Sequence, residues 1–148
     1  MKTKSTKYIL LILLAFVSTS LSQSNRYTKG AENGYMWQAM SEQDLIYNVS
    51  KENYLGSILE RMRITGEKYP EIASLACRKD IEKIYKEGES NKFSLEDVVK
   101  AIDKFYSKND NLIIPIIFAY CYAIKKFAGA SYKELKKYRE DVLKFCNG

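Results

Sequence analysis

The side chains that could do chemistry are few in kind. The 148-residue sequence contains no histidine. That removes Ser-His-Asp and Cys-His nucleophilic catalysis, and the usual imidazole-bearing zinc site, together. The glycines stand singly, so there is no Gly-rich phosphate loop and no dinucleotide fingerprint. No cofactor and no metal is expected. Three cysteines are present, Cys77, Cys121 and Cys146. In an oxidising compartment that number gives one disulfide and one leftover thiol. Three pairings are open. Cys121 falls within the longest apolar block of the mature chain, where a free thiol behaves as a small hydrophobe. This favours Cys77–Cys146, with Cys121–Cys146 serving nearly as well. Without an imidazole to generate a thiolate, thiol catalysis is not expected.

Carboxylates are the remaining catalytic group. Two of them can hydrolyse a sugar link when one lies in an apolar setting that raises its pKa. Here Asp44, Asp97 and Glu134 each follow a serine by three residues, at helix starts. Most other acids fall on polar helix faces. A cell-wall glycoside hydrolase using carboxylates alone is therefore the alternative reading. The Asn109-Asp110-Asn111 loop has the outline of an EF-hand, but it lacks the alternating Asp/Asn ligand ladder and the closing glutamate. The candidate partner-binding residues are Tyr35 and Trp37, because aromatics are enriched in binding hot spots. The plainer reading is that Trp37 plugs the helical core. Twelve tyrosines suit helix edges, with ring buried and hydroxyl wet. They also leave open a carrier with a Tyr-lined pocket for a small apolar ligand.

These residues must be positioned by helices. The segment 93–129 organises the chain. Its apolar block, 112–124, is too short to span a bilayer, which needs about 20 apolar residues. It reads as a core helix over residues 115–128, opened by Pro115 and closed by Gly129 as a left-handed cap. Ser94 and Asp97 form a capping box before it, with Phe93 and Val98 at the staple positions. Val98, Val99, Ile102, Phe105 and Tyr106 then keep helical spacing. Upstream, Asn33-Gly34 reads as a turn. The Ser41/Asp44 box opens a long helix running to Thr65, with Leu45, Ile46, Val49, Leu55, Ile58, Leu59 and Met62 on one face. Gly56 within it suggests close approach of another helix. Pro70 opens a further helix ending at Gly88, with Ile72, Leu75, Ala76, Ile81, Ile84 and Tyr85 inward. Ser131 and Glu134 box the last helix, whose Leu135, Tyr138, Val142 and Phe145 point inward. The expected fold is all-α, about five helices around the central apolar one.

Residues 1–22 read as a secretory signal peptide: Lys2, Lys4 and Lys7, an apolar run, then small residues ending at Ser20 and Ser22. No cysteine follows the run, which argues against a lipid anchor. Residues 23–32 are expected to be flexible and 33–148 to form a single helical domain. Removing the signal takes three lysines from the whole-chain charge of +6. That leaves twenty-one basic against eighteen acidic residues, +3. The densest basic cluster, Lys133, Lys136, Lys137 and Arg139, is expected to be a solvated helix face. Export and a dilute charge argue against nucleic acid as partner. No membrane span is expected after signal cleavage, and the compartment is periplasmic or extracellular.

The pattern of Asn33, Gly34, Trp37, Tyr47 and Gly56 resembles that of small exported bacterial proteins with an aromatic-rich turn before a helix. The second half of that pattern is matched by Ile102, Asp103, Phe105, Tyr106, Asn111, Ile114, Pro115 and Gly129. More distantly, the chain is similar to the Rap1a/Tai group of periplasmic all-α immunity proteins, which neutralise type VI secretion toxins and carry a structural disulfide. It departs from that group in cysteine spacing and in its C-terminal helix, residues 131–146. The absence of catalytic constellations together with the export signal points to a non-enzymatic, exported helical protein that binds another protein, and the resemblance implies an immunity or inhibitor role as its special case.

Overall fold

The computed structural model describes residues 25–47, 50–65, 76–88 and 93–148. The expected signal peptide, the helix start at Pro70 with Ile72 and Leu75, and Val49 lie outside the described residues. So do the side chains of Ser41, Asp44, Leu45, Ile46, Tyr47 and Met62. The elements are β1 (Tyr27–Thr28), β2 (Ala31–Glu32), α1 (Gly34–Tyr47), α2 (Lys51–Thr65), α3 (Arg78–Lys86), α4 (Leu95–Tyr106), α5 (Ile116–Phe127) and α6 (Tyr132–Asn147), with a 3-10 turn at Asn109–Asn111. The fold is all-α apart from the small antiparallel hairpin β1–β2.

The apolar block becomes α5, and α3, α4 and α6 all pack on it. Ile116, Phe118, Ala119, Cys121, Ala123 and Ile124 are buried along it. Pro115 stands one position earlier than expected, as the N-cap residue. Gly129 adopts φ +83° beyond its end, a backbone that a side chain disfavours. Two capping boxes form as the serine spacing predicts. The Ser94 side chain accepts from the Asp97 amide while the Asp97 carboxylate accepts from the Ser94 amide, and Ser131 and Glu134 repeat the arrangement. Phe93 stacks on Phe127, ring centroids 4.5 Å apart, which ties the start of α4 to the end of α5.

Several expectations are corrected. The single helix expected from Ser41 to Thr65 is instead two, Gly34–Tyr47 and Lys51–Thr65, and the first begins at Gly34 because Asn33 already supplies a cap: its Oδ1 accepts from the Tyr35 amide, 3.1 Å. Residues 27–32, within the segment expected to be flexible, form a hairpin. Its turn places Lys29 at φ +49° and Gly30 at φ +80°, the two left-handed residues of a type I′ hairpin turn. Ala76 is exposed and precedes the helix α3, and Tyr85 is 70 % exposed rather than inward. Among the described residues nothing lies within 4 Å of the position a Cβ would take at Gly56.

The disulfide is also corrected. Cys77, at the N-cap position of α3, is bonded to Cys121 on α5, with Cα atoms 5.1 Å apart. Cys146 is the free thiol. Neither Cys77–Cys146 nor Cys121–Cys146 forms. The reason is helix register. Asp80 pairs with Lys125 at 2.7 Å, and Lys83 Nζ donates to the Ala128 carbonyl at 2.8 Å. Positions 77, 80 and 83 therefore run alongside 121, 125 and 128, one helical stripe against another. Cys146 sits in the last turn of α6, half-buried. Burial pushes its thiol up to about 11, against a smaller lowering by Lys29.

Candidate functional site

In the N-terminal corner a connected set of side-chain hydrogen bonds centres on Asn33. Asn33 is buried, so each polar atom of its side chain needs a partner. Its Nδ2 donates to the Asn25 carbonyl at 2.8 Å and to Thr28 Oγ1 at 3.0 Å, and its Oδ1 caps α1. Thr28 Oγ1 in turn donates to the Ile113 carbonyl at 2.6 Å. An isolated bridge joins Asn33 to Pro115, and the Gly34 amide donates to the Leu112 carbonyl at 2.9 Å. This contact explains Gly34. A Cβ there would lie 2.5 Å from Tyr106 Cδ1 and 2.8 Å from Leu112 Cα.

The opposing wall is the α4–α5 connection, itself locked from inside. Asn111 is buried, and its Nδ2 donates to the Phe105 carbonyl at 2.6 Å while its Oδ1 accepts from Arg139 Nε at 2.6 Å. The buried Tyr106 hydroxyl donates to the Ile114 carbonyl at 2.8 Å. The loop with an EF-hand outline is thus a polar hinge pin between helices. Among the described residues no group of three or more His, Cys, Asp or Glu side chains is arranged to hold a metal ion.

Trp37 closes the corner. It is 0 % exposed, and its indole N–H donates to Asp103 Oδ1 at 2.8 Å. Lys51 pairs with the same carboxylate and lies 5.2 Å from the indole ring centroid, within cation–π range. Trp37 therefore lies in the core and not on the surface as a contact residue would. Tyr35 precedes it by two residues, about 200° around an α-helix at 3.6 residues per turn. With Trp37 inward, Tyr35 must face out, and it is 39 % exposed. Tyr27 on β1 is exposed at the same corner, cross-strand from Glu32. Tyr27 was missed because its strand was not expected; the Lys29-Gly30 pair between short segments was the available signal. Arg61 reaches Glu32 at 3.4 Å. The Tyr54 hydroxyl is shut off from solvent near Glu32, without good hydrogen-bond geometry. Burial first, and Glu32 second, raise its pKa.

Several of the described carboxylates have structural occupations. Asp103 holds Trp37 and Lys51, Asp80 holds Lys125, and Asp141 accepts from Lys137 at 3.0 Å. Hydrogen bonds from the Ser94 backbone and then its side chain lower the Asp97 pKa. The Ser131 side chain, then its backbone, lowers that of Glu134. Of the residues that carry the sequence pattern described above, Asn33, Gly34, Trp37, Asp103, Tyr106, Asn111, Ile114 and Pro115 are joined in this one contact network. They are framework residues. No protein-family model, curated protein or solved structure matches the chain.

Proposed function

We propose that the chain is an exported, non-enzymatic helical protein that acts by binding another protein, with Tyr27 and Tyr35 among its contact residues. An immunity or inhibitor role is the special case of this reading. The observation that carries it is Tyr35, held outward by a helical turn whose neighbour Trp37 is locked into the core. An aromatic on a rigid support offers contact area without a large ordering cost, which is the character of a binding hot spot. Two further facts fit export. A disulfide belongs to an oxidising compartment, and among the described residues no helix is long and apolar enough to cross a membrane. The carboxylate hydrolase reading is less well supported. Among the described residues the carboxyls with displaced pKa values, Asp97 and Glu134, are displaced downward, the opposite of what a general acid needs.

The test is capture from a periplasmic extract with tagged wild-type protein and with a Tyr27→Ala/Tyr35→Ala double variant. A protein retained by the wild type and lost from the variant, with Trp37 emission unchanged between them, supports the proposal. Equal retention by both, or retention by neither, counts against it.

A further inference from the structure

We propose that α3 is a detachable arm whose docking on α5 is set by the oxidation state of Cys77 and Cys121. The helix has nine residues, shorter than the roughly 12–15 at which an isolated helix becomes even marginal in water. Its N-cap, Cys77, makes no side-chain capping bond, and Ile84 is the one fully buried side chain within it. Ile81 is half-buried, whereas Arg78, Lys79, Glu82, Lys83, Tyr85 and Lys86 are exposed. Among the described residues its polar ties to α5 and its C-cap are the Asp80–Lys125 ion pair and the hydrogen bond from Lys83 to the Ala128 carbonyl, beside the packing of Ile84 and half-buried Ile81 on the core. The contrast with its neighbours is plain. α4 buries Val98, Val99, Ile102, Phe105 and Tyr106, α6 buries Leu135, Tyr138 and Val142, and each has a complete capping box. The covalent bond to Cys121 is what keeps α3 at a local concentration high enough to stay docked.

Both half-cystines are only 4 % exposed, so a reductant reaches sulfur after a local opening of α3. A dithiol reductant then attacks one sulfur as its thiolate. The Cys77–Cys121 bond breaks, a mixed disulfide forms and the other cysteine leaves as thiolate. The reductant's second thiol displaces the mixed disulfide, so the reductant ends as an intramolecular disulfide. Two protons end on Cys77 and Cys121. Once released, α3 uncovers the Cys121–Lys125–Ala128 stripe of α5 while α4, α5 and α6 remain packed.

The experiment is hydrogen–deuterium exchange of the oxidised full chain, of the same protein incubated with dithiothreitol, and of a Cys77→Ser/Cys121→Ser double variant without reductant. The expected result is a loss of protection of about tenfold or more in the amides of α3, with those of α4 and α6 changing by less than about twofold. The double variant decides the matter if the native bond resists dithiothreitol. Retention of α3 protection in the double variant overturns the proposal. So does parallel loss of protection in α4 and α6, or failure of the double variant to fold, since either makes α3 part of one cooperative unit.

Discussion

Asp103→Ala removes the carboxylate that both Trp37 and Lys51 use. An indole hydrogen bond to a charged acceptor contributes about 1.5–3 kcal/mol. The ion-pair part is smaller, because the Asp103 side chain is 44 % exposed and solvent screens it; we assign it no more than ~1 kcal/mol. Removing Asp103 also strands two groups, a fully buried indole N–H and a lysine whose side chain is only 13 % exposed. Water entering the vacated, partly open position relieves some of that cost. The expected loss is about 2–3 kcal/mol. Lys51→Met keeps the aliphatic stem against Trp37 and leaves Asp103 to water and the indole, so it costs about 1 kcal/mol or less. Trp37 is the sole tryptophan, which makes its emission a clean probe of urea unfolding. A loss below about 0.5 kcal/mol for Asp103→Ala, or an equal loss for Lys51→Met, would refute the claim that Asp103 anchors the corner.

Further outcomes follow from the same contacts. Gly34→Ala forces a methyl group against Tyr106 and the Leu112 backbone and should cost about 1–3 kcal/mol. Gly56→Ala meets no heavy atom within 4 Å among the described residues and should stabilise by roughly 0.5–1 kcal/mol; paired thermal melts check both signs. Cys146 should react with iodoacetamide at pH 8 far more slowly in the native protein than in urea, because burial raises its pKa to about 11. A raised thiol pKa stabilises the fold below the ordinary thiol range, and that contribution is lost as pH rises through about 11; equal native and denatured rates would contradict this. Asp97 and Glu134 have depressed pKa values, so their contribution is present above the ordinary carboxyl range and is lost as pH falls through their folded values. In acid titrations followed by circular dichroism, Asp97→Asn and Glu134→Gln should flatten the fall in stability below about pH 4, and an unchanged slope would contradict the capping assignment.

Local signals were legible. Ser94 with Asp97 and Ser131 with Glu134 specify helix starts within four residues of chain, and both boxes form. The apolar run specifies the hub because a helix with little polar surface has nowhere to go but inside. Ser41 and Asp44 show the limit of the same signal. Their spacing fits a capping box, yet Asn33 caps eight residues upstream, where hairpin, Pro115 and Tyr106 converge. That convergence is tertiary and leaves no local mark. Cysteine pairing failed for a related reason. The apolar setting of Cys121 suits a thiol or a half-cystine equally; the register of α3 along α5 decides, and no single-helix pattern encodes it. The opposed directions of Tyr35 and Trp37 follow from helical geometry and were available once the helix was extended back to Gly34.

The most direct measurement is the affinity of the captured partner for wild-type protein and for the Tyr27→Ala/Tyr35→Ala variant, at matched salt. Truncating a hot spot costs at least about 2 kcal/mol, roughly a thirtyfold rise in Kd. The predicted result is a weakening of that size with an unchanged Trp37 emission spectrum. Equal affinity for the two proteins would contradict the assignment of this corner as the contact surface.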